Sequence, residues 1–371
     1  MDLNQFNSLN QQVLMAGFAL AFLFGAIGQR THFCTMGAVS DIVSMGDWSR
    51  MRMWALAAGI GILGFQALAY LGWVDPARTI YASNRFIWLS ALIGGLLFGV
   101  GMVLGSGCGS KTLIRIGGGN LKSVVVFLAM GISAFITMKG MTAVLRVETV
   151  DRVALDVTAP GTLAVVLAPV LGVAVPQAAA ILGLLLGLAL LLWAVLGRDF
   201  RNLDNLLGGL GLGALLVAMW WLTGHVGFVR EHPQTLEEVF VATNSGRSEA
   251  FSFVAPMAYT LDWLMFFSDK SKVLTLGVVT VVGVVAGSAV WALISRSFRW
   301  EGFRDAHDTA MHLIGAVLMG VGGVTAMGCT VGQGLSGLST LSLSSFLALA
   351  GILAGSYLGL RWQMWRLERD L

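Results

Sequence analysis

Charge is what this chain has least of. Only 12% of its 371 residues are charged, while 56% are hydrophobic; a soluble domain carries roughly 25% charged residues. That balance excludes a soluble globular fold, because so much apolar surface has to be buried in lipid. A ~30 Å hydrocarbon core takes about 20 residues of helix to cross, and apolar stretches of that length recur along the whole chain. It therefore reads as a single membrane domain over residues 1–371. The net charge of +3 is spread over short connections, and without a clustered basic face nucleic acid is excluded as a partner. Met1 to Gln12 holds no Lys or Arg, so the positive region of a cleaved signal peptide is missing and the first apolar segment reads as retained. Cysteine is scarce too: Cys34, Cys108 and Cys329 are an odd, scattered set, which argues against a disulfide framework. No Asp or Glu falls within an apolar span. Pumps relay protons through such carboxylates, so coupling through a buried acid is not expected.

What is present is a series of nine apolar spans: Leu14 to Gly28, Arg52 to Trp73, Ile87 to Gly105, Leu121 to Met138, Gln177 to Leu196, Leu206 to Thr223, Lys272 to Ile294, Thr309 to Met327 and Leu341 to Leu360. The fold class is thus all-α and polytopic. A tenth apolar piece, Thr162 to Val175, is short and punctuated by Pro160, Pro169 and Pro176, which fits a broken or re-entrant element. An odd number of crossings puts the termini on opposite sides, and Lys and Arg decide which. Arg30 and Arg50, Lys111 and Arg115, Arg198 and Arg201, and Arg296, Arg299 and Arg304 all fall on one side, joined by Arg361, Arg366 and Arg369 of the tail. The expected orientation is N-terminus outside and C-terminus in the cytoplasm, although Arg78, Arg85, Lys139, Arg146 and Arg152 run against it. Residues 224–271 read as an extramembrane loop in which Leu261 to Phe267 forms an aromatic interfacial patch.

The chain also repeats itself. An offset of 221 positions superposes Leu92–Cys108 on Leu313–Cys329 with ten of seventeen residues identical, including both Gly-Cys pairs. The first copy runs outside to inside and the second the reverse, so the repeat halves, roughly 12–140 and 177–361, are expected to be inverted, as in transporters that build a central site from two halves.

Cys108 and Cys329 each end a span inside glycine-rich backbone, and Cys34 lies just beyond the first span between glycines. Glycine lets a chain leave helical geometry and approach a ligand. Non-helical backbone at membrane depth is tolerated only where it is buried in protein or lines a cavity, so the three thiols are candidates to line one. Gly107, Gly109, Gly328, Thr330, Gln333, Gln29 and Lys111 are the supporting candidates from the same segments. His32, Cys34 and Met36 invite a soft-metal reading, but one His cannot complete a site and no Cys-x-x-Cys occurs; no metal or cofactor is expected. Gly105 to Thr112 nearly matches a P-loop, yet it follows a membrane span rather than a strand, which rejects that reading. The remaining inventory of thiols, hydroxyls, amides and backbone suits a weakly held anion or sulfur compound.

Three segments carry a resemblance: GQRTHFCTMG from Gly28, GVGMVLGSGCGSKT from Gly99 and GVGGVTAMGCTVGQGLSG from Gly320 look like the signatures of the YeeE/YedE family of sulfur-compound transporters. The likeness covers nearly the whole chain. It implies thiosulfate uptake across a bacterial inner membrane, an hourglass-shaped inverted-repeat fold with re-entrant elements, and pore-lining roles for Cys34, Cys108 and Cys329. It also implies a separate cytoplasmic sulfur-carrier protein of the TusA type as partner. Some members serve selenium metabolism, so a selenium or other sulfur compound is the alternative substrate. The mechanism this points to is relay of the anion by weak bonds from neutral thiols and by helix N-termini aimed at the midplane. A persulfide-forming sulfurtransferase ranks second, because no base accompanies Cys108 or Cys329; the chain is expected not to be an enzyme.

Overall fold

A computed structural model of the protein describes residues 2–157, 161–197 and 200–369; Pro160 and Arg198 lie outside the described residues. Fourteen α-helices run in the order α1 (Leu3–Arg30), α2 (Thr35–Met45), α3 (Ser49–Tyr70), α4 (Trp88–Leu104), α5 (Gly109–Gly117), α6 (Leu121–Lys139), α7 (Met141–Glu148), α8 (Leu163–Leu171), α9 (Val175–Leu196), α10 (Leu203–Trp221), α11 (Val254–Met265), α12 (Leu276–Ile294), α13 (Ala306–Thr325) and α14 (Leu343–Arg369). Among the described residues there are also two minimal antiparallel ribbons, Arg85–Phe86 with Leu155–Asp156 and Phe228–Val229 with Val239–Phe240, and short 3-10 and π-helical turns. Among the described residues, nine helical stretches are long and apolar enough to cross a membrane, matching the nine apolar spans of the sequence. The protein is an all-α, multi-pass membrane protein.

Three details differ from the sequence reading or refine it. Helix α1 starts at Leu3 rather than Leu14, because Asn, Gln and Ser side chains between them do not interrupt a helix outside the hydrocarbon. The Thr162–Val175 piece is α8, nine residues with Pro169 inside and a left-handed Gly172 at its end; at 1.5 Å per residue it is only about 14 Å long. The segment 224–271 is not wholly a surface loop. Phe251 and Phe253 are buried, at 1% and 0% exposure, and pack on Phe24 in the central core. Helix α11 then packs between α6 and α12 and emerges with Leu264 to Phe267 exposed.

The two ends of the bundle are unlike. At one, the connections are short and cross-tied: Arg30 bridges to Asp204 at 3.0 Å and Lys122 to Asp308 at 2.7 Å, and Asn120 donates to Glu301 at 2.5 Å. At the other, long connections carry both ribbons, with bridges from Thr79 to Ser248 and from Thr162 to Ser342.

The centre combines large buried side chains such as Trp220, Phe65 and Phe98 with close helix crossings. Helix α4 packs on α14 as α13 packs on α6, and α1 on α12 as α10 on α3. Where α4 crosses α13, a methyl group added to Gly94 would sit 2.7 Å from Gly322 O, and one added to Gly101 would sit 2.7 Å from Gly315 O. The offset of 221 turns one contact into the other, carrying Gly94 to Gly315 and Gly101 to Gly322. Lipid tails are as apolar as leucine, so membrane helices associate through such small-residue approaches.

Candidate functional site

The three cysteines occupy one repeated backbone device. Two residues before each, the chain turns left-handed at a residue other than glycine: His32 (φ 52°), Ser106 (φ 57°) and Met327 (φ 58°). Each such residue costs about 1–3 kcal/mol and persists only where its surroundings hold it, typically at ligand sites. The turn reverses the chain inside the bundle and leaves the cysteine at the head of a new helical segment. Cys34 is the N-cap of α2 and takes a hydrogen bond from Gly37 N at 3.3 Å. Cys108 is the N-cap of α5 and lies 3.3 Å from Ser110 Oγ. Cys329 takes the Gly332 N–H at 3.4 Å, where a π-helical turn over Gly332–Gly337 begins. All three thiols are buried and free.

The three are neighbours. Cys108 lies within electrostatic reach of both Cys34 and Cys329. Phe253, at the start of α11, closes the cluster, its Cβ 3.5 Å from where a methyl on Gly109 would sit. Since α2 and α5 begin at Cys34 and Cys108, their unsatisfied N–H groups and partial positive charges converge here.

The supporting candidates divide. Lys111, one turn along α5, folds over Gly107, where an added methyl would sit 3.1 Å from its Cγ. It makes no ion pair or hydrogen bond among the described residues, and its charge reaches both Cys34 and Cys108. The sequence reads Lys111 as a marker of the membrane face; its place on a half-length helix puts it inside. Thr330 is fully buried, and its Oγ1 has no hydrogen-bond partner among the described residues. Gln333 is braced: its Nε2 donates to Ala326 O at 2.6 Å and its Oε1 accepts from Ser345 Oγ at 2.5 Å. With Gly328 packed 3.0 Å below Gln333 Cγ as judged by an added methyl, that brace holds the Cys329 turn in shape. Gln29 lies against Gly118, at the far end of α5 from Cys108, so it is not brought to the thiols. Among the described residues no group of three or more His, Cys, Asp or Glu is placed to hold a metal.

Sequence patterns missed a cavity of about 400 Å3 at the long-connection end, lined by Arg146, Asp151, Ser245, Glu249, Tyr259 and, at its floor, Met327 and Gly328. Gly328 precedes Cys329, so this space borders the Cys329 turn. Tyr81 braces its far side, donating from its hydroxyl to Gly332 O at 2.5 Å. These residues come from four connections far apart in the chain, and no local spacing marks them.

Two curated relatives bear on what the chain carries. A thiosulfate transporter of Escherichia coli (strain K12), TsuA, is 26% identical over 352 residues, covering 92% of this chain and 92% of the relative. The thiosulfate transporter TsuA of Spirochaeta thermophila is 24% identical over 373 residues, covering 95% of this chain and all of the relative. The profile of the sulphur-transport family matches residues 30–358, a span that contains all three cysteine turns, and the chain belongs to that family of sulfur-compound transporters.

Proposed function

We propose that the protein imports thiosulfate across a bacterial inner membrane along a central path past Cys329, Cys108 and Cys34. The observation that carries this is the repeated turn: three neighbouring thiols, each at the head of a helical segment in the interior of a membrane bundle. Thiosulfate offers anionic oxygens and a terminal sulfur, and the N–H groups and neutral thiols here are donors to both. A neutral S–H is a weak donor, and a succession of weak sites lets an ion be released as readily as it is taken up. Lys111, with Arg115 held on Ser106 O and Arg50 against Gly37, gives the surroundings of Cys34 and Cys108 a positive charge that draws a dianion onward from Cys329.

The arrangement of helices supports two inverted halves. The reciprocal pairings exchange α1, α3, α4 and α6 with α10, α12, α13 and α14, and the Gly94–Gly322 and Gly101–Gly315 contacts are images of each other. In this reading the short-connection end is cytoplasmic, as the excess of Arg and Lys favours, the N-terminus is periplasmic, and a separate small sulfur-carrier protein collects the product at the cytoplasmic end. Transport without covalent chemistry is favoured because the Cys108 sulfur touches a hydroxyl rather than a base. A selenium compound remains the competing cargo.

Growth tests this. A bacterial strain unable to take up sulfate, given thiosulfate as sole sulfur source, should grow when it expresses this chain and fail with Cys34→Ala, Cys108→Ala or Cys329→Ala expressed at equal membrane levels. No growth with the unmodified chain, carrier protein supplied, would make thiosulfate the wrong cargo.

A further inference from the structure

The cavity above Cys329 holds an acid that an anion path has no evident reason to contain. Glu249 is partly buried in its wall, with Oε2 accepting from Ser245 Oγ at 2.9 Å. It forms no ion pair among the described residues. Glu249 and Gly328 line the same space, so a dianion that enters it meets the carboxyl. We propose that Glu249 makes entry of the anion proton-dependent: as a carboxylate it repels the anion, and with a proton taken from the outer water it becomes a neutral hydroxyl donor that admits it beside Arg146. This rests on the importer reading above.

The other groups around the cavity fit a gate of this kind. Arg146 Nε lies 3.0 Å from Asp151 Oδ2 but is out of line for a hydrogen bond, and its remaining N–H groups bond to nothing else among the described residues. Asp151 is occupied twice, by Arg146 and by Ser90 Oγ at 2.6 Å, so its charge is already balanced. Arg247, two residues before Glu249, turns away to the carbonyls of Thr79 and Ala82, and Arg78 is paired with Asp75 and Glu238. Neither guanidinium compensates Glu249. Tyr259 faces the same space, and Tyr81 lies beyond the floor toward Cys329. Burial above all holds both phenols protonated; the Tyr81 hydroxyl already donates to Gly332 O, which leaves Tyr259 as the neutral donor facing the space. Burial pushes the Glu249 carboxyl up to about 7, against the lowering by the Ser245 hydroxyl and the Asn244 N–H. The sign follows: below that pH the carboxyl is neutral and the path is open, and above it the carboxylate closes the path.

Purified protein in liposomes, with the same buffer on both faces, gives the test through initial uptake of 35S-thiosulfate between about pH 5.5 and 8.5, either side of a pKa of about 7. Thiosulfate itself stays a dianion throughout, so a pH dependence has to come from the protein. The unmodified chain should lose uptake above neutral pH, approaching tenfold per unit as the protonated fraction falls. Glu249→Gln, checked for an unchanged melting temperature, should hold the acid-side rate throughout and exceed the unmodified chain about tenfold one unit above the midpoint, while Glu249→Asp keeps a slope. Uptake by the unmodified chain with a flat profile, or a slope that survives Glu249→Gln, overturns this proposal alone. No thiosulfate uptake at any pH overturns the importer reading and the proposal with it.

Discussion

Cys108 and Cys329 stand on the same motif 221 residues apart, and the backbone treats them alike: a left-handed residue two positions before, a glycine immediately before, a helical segment after. Their surroundings differ in charge. Beside Cys108 the helix carries Lys111, without an ion pair among the described residues; Cys329 is followed by the uncharged Gly332, Gln333 and Ser336, and the cavity bordering its turn carries Glu249 beside the Arg146–Asp151 pair. Duplication thus accounts for the paired thiols, and in the proposed path divergence places an unpaired acid, Glu249, at one end and an unpaired base, Lys111, at the other. For an anion such a path has a direction, with the gate at the Cys329 end and the attraction at the Cys108 end.

The likeness of the halves is broken most severely at the helix crossing. Gly322→Leu would push a side chain into the α4 backbone, where even a methyl lies 2.5 Å from Phe98 N. Overpacking of this kind costs about 1–3 kcal/mol or more, and the variant should fail to accumulate as a monodisperse species in detergent; Gly101→Leu, its image, should fail equally. If one were tolerated, the crossing would not be symmetric. The difference between the halves is tested by Lys111→Gln, which should fold normally and lose about tenfold in uptake, the effect of ~1.4 kcal/mol, while Lys111→Arg keeps most of it. Equal activity of Lys111→Gln would remove the attraction at the Cys108 end.

Smaller effects concern the Cys329 turn alone. Ser345→Ala leaves Gln333 Oε1 buried without its donor, a loss of about 1–3 kcal/mol that should lower the melting temperature and weaken uptake, with no counterpart expected at Ser110. Thr330→Val separates structure from transport most finely. The Thr330 Oγ1 bonds to nothing among the described residues, so the isosteric change should leave the melting temperature unchanged or raised, yet reduce thiosulfate uptake a few-fold if that hydroxyl serves the passing anion. Unchanged uptake would make Thr330 a packing residue.

The chain displays the parts of this design that are local. Apolar runs of about 20 residues announce the nine spans, and the repeated Gly-Cys pair points to Cys108 and Cys329. The half-length helix α5 was harder, because it follows a break of only a few residues whose left-handed backbone falls on Ser106 rather than on the glycines either side of it. The order of residues makes Lys111 both a marker of the membrane face and a supporting pathway candidate, and does not reveal that its charge reaches Cys34 as well as Cys108. Glu249 and Arg146 carry no signal at all in sequence. Each sits in a connection that looks solvated, and only the folding of residues 244–253 back into the bundle puts an acid in the cavity that borders the Cys329 turn.

The most direct test of the central path is 35S-thiosulfate uptake by purified Cys108→Ala in liposomes, at a pH on the acid side of neutral, with its melting temperature matched to the unmodified chain. Cys108 is the middle thiol, within reach of both others, and the account predicts that uptake falls to the level of empty liposomes while the fold is kept. Uptake equal to that of the unmodified chain would mean that the anion travels somewhere other than past these thiols.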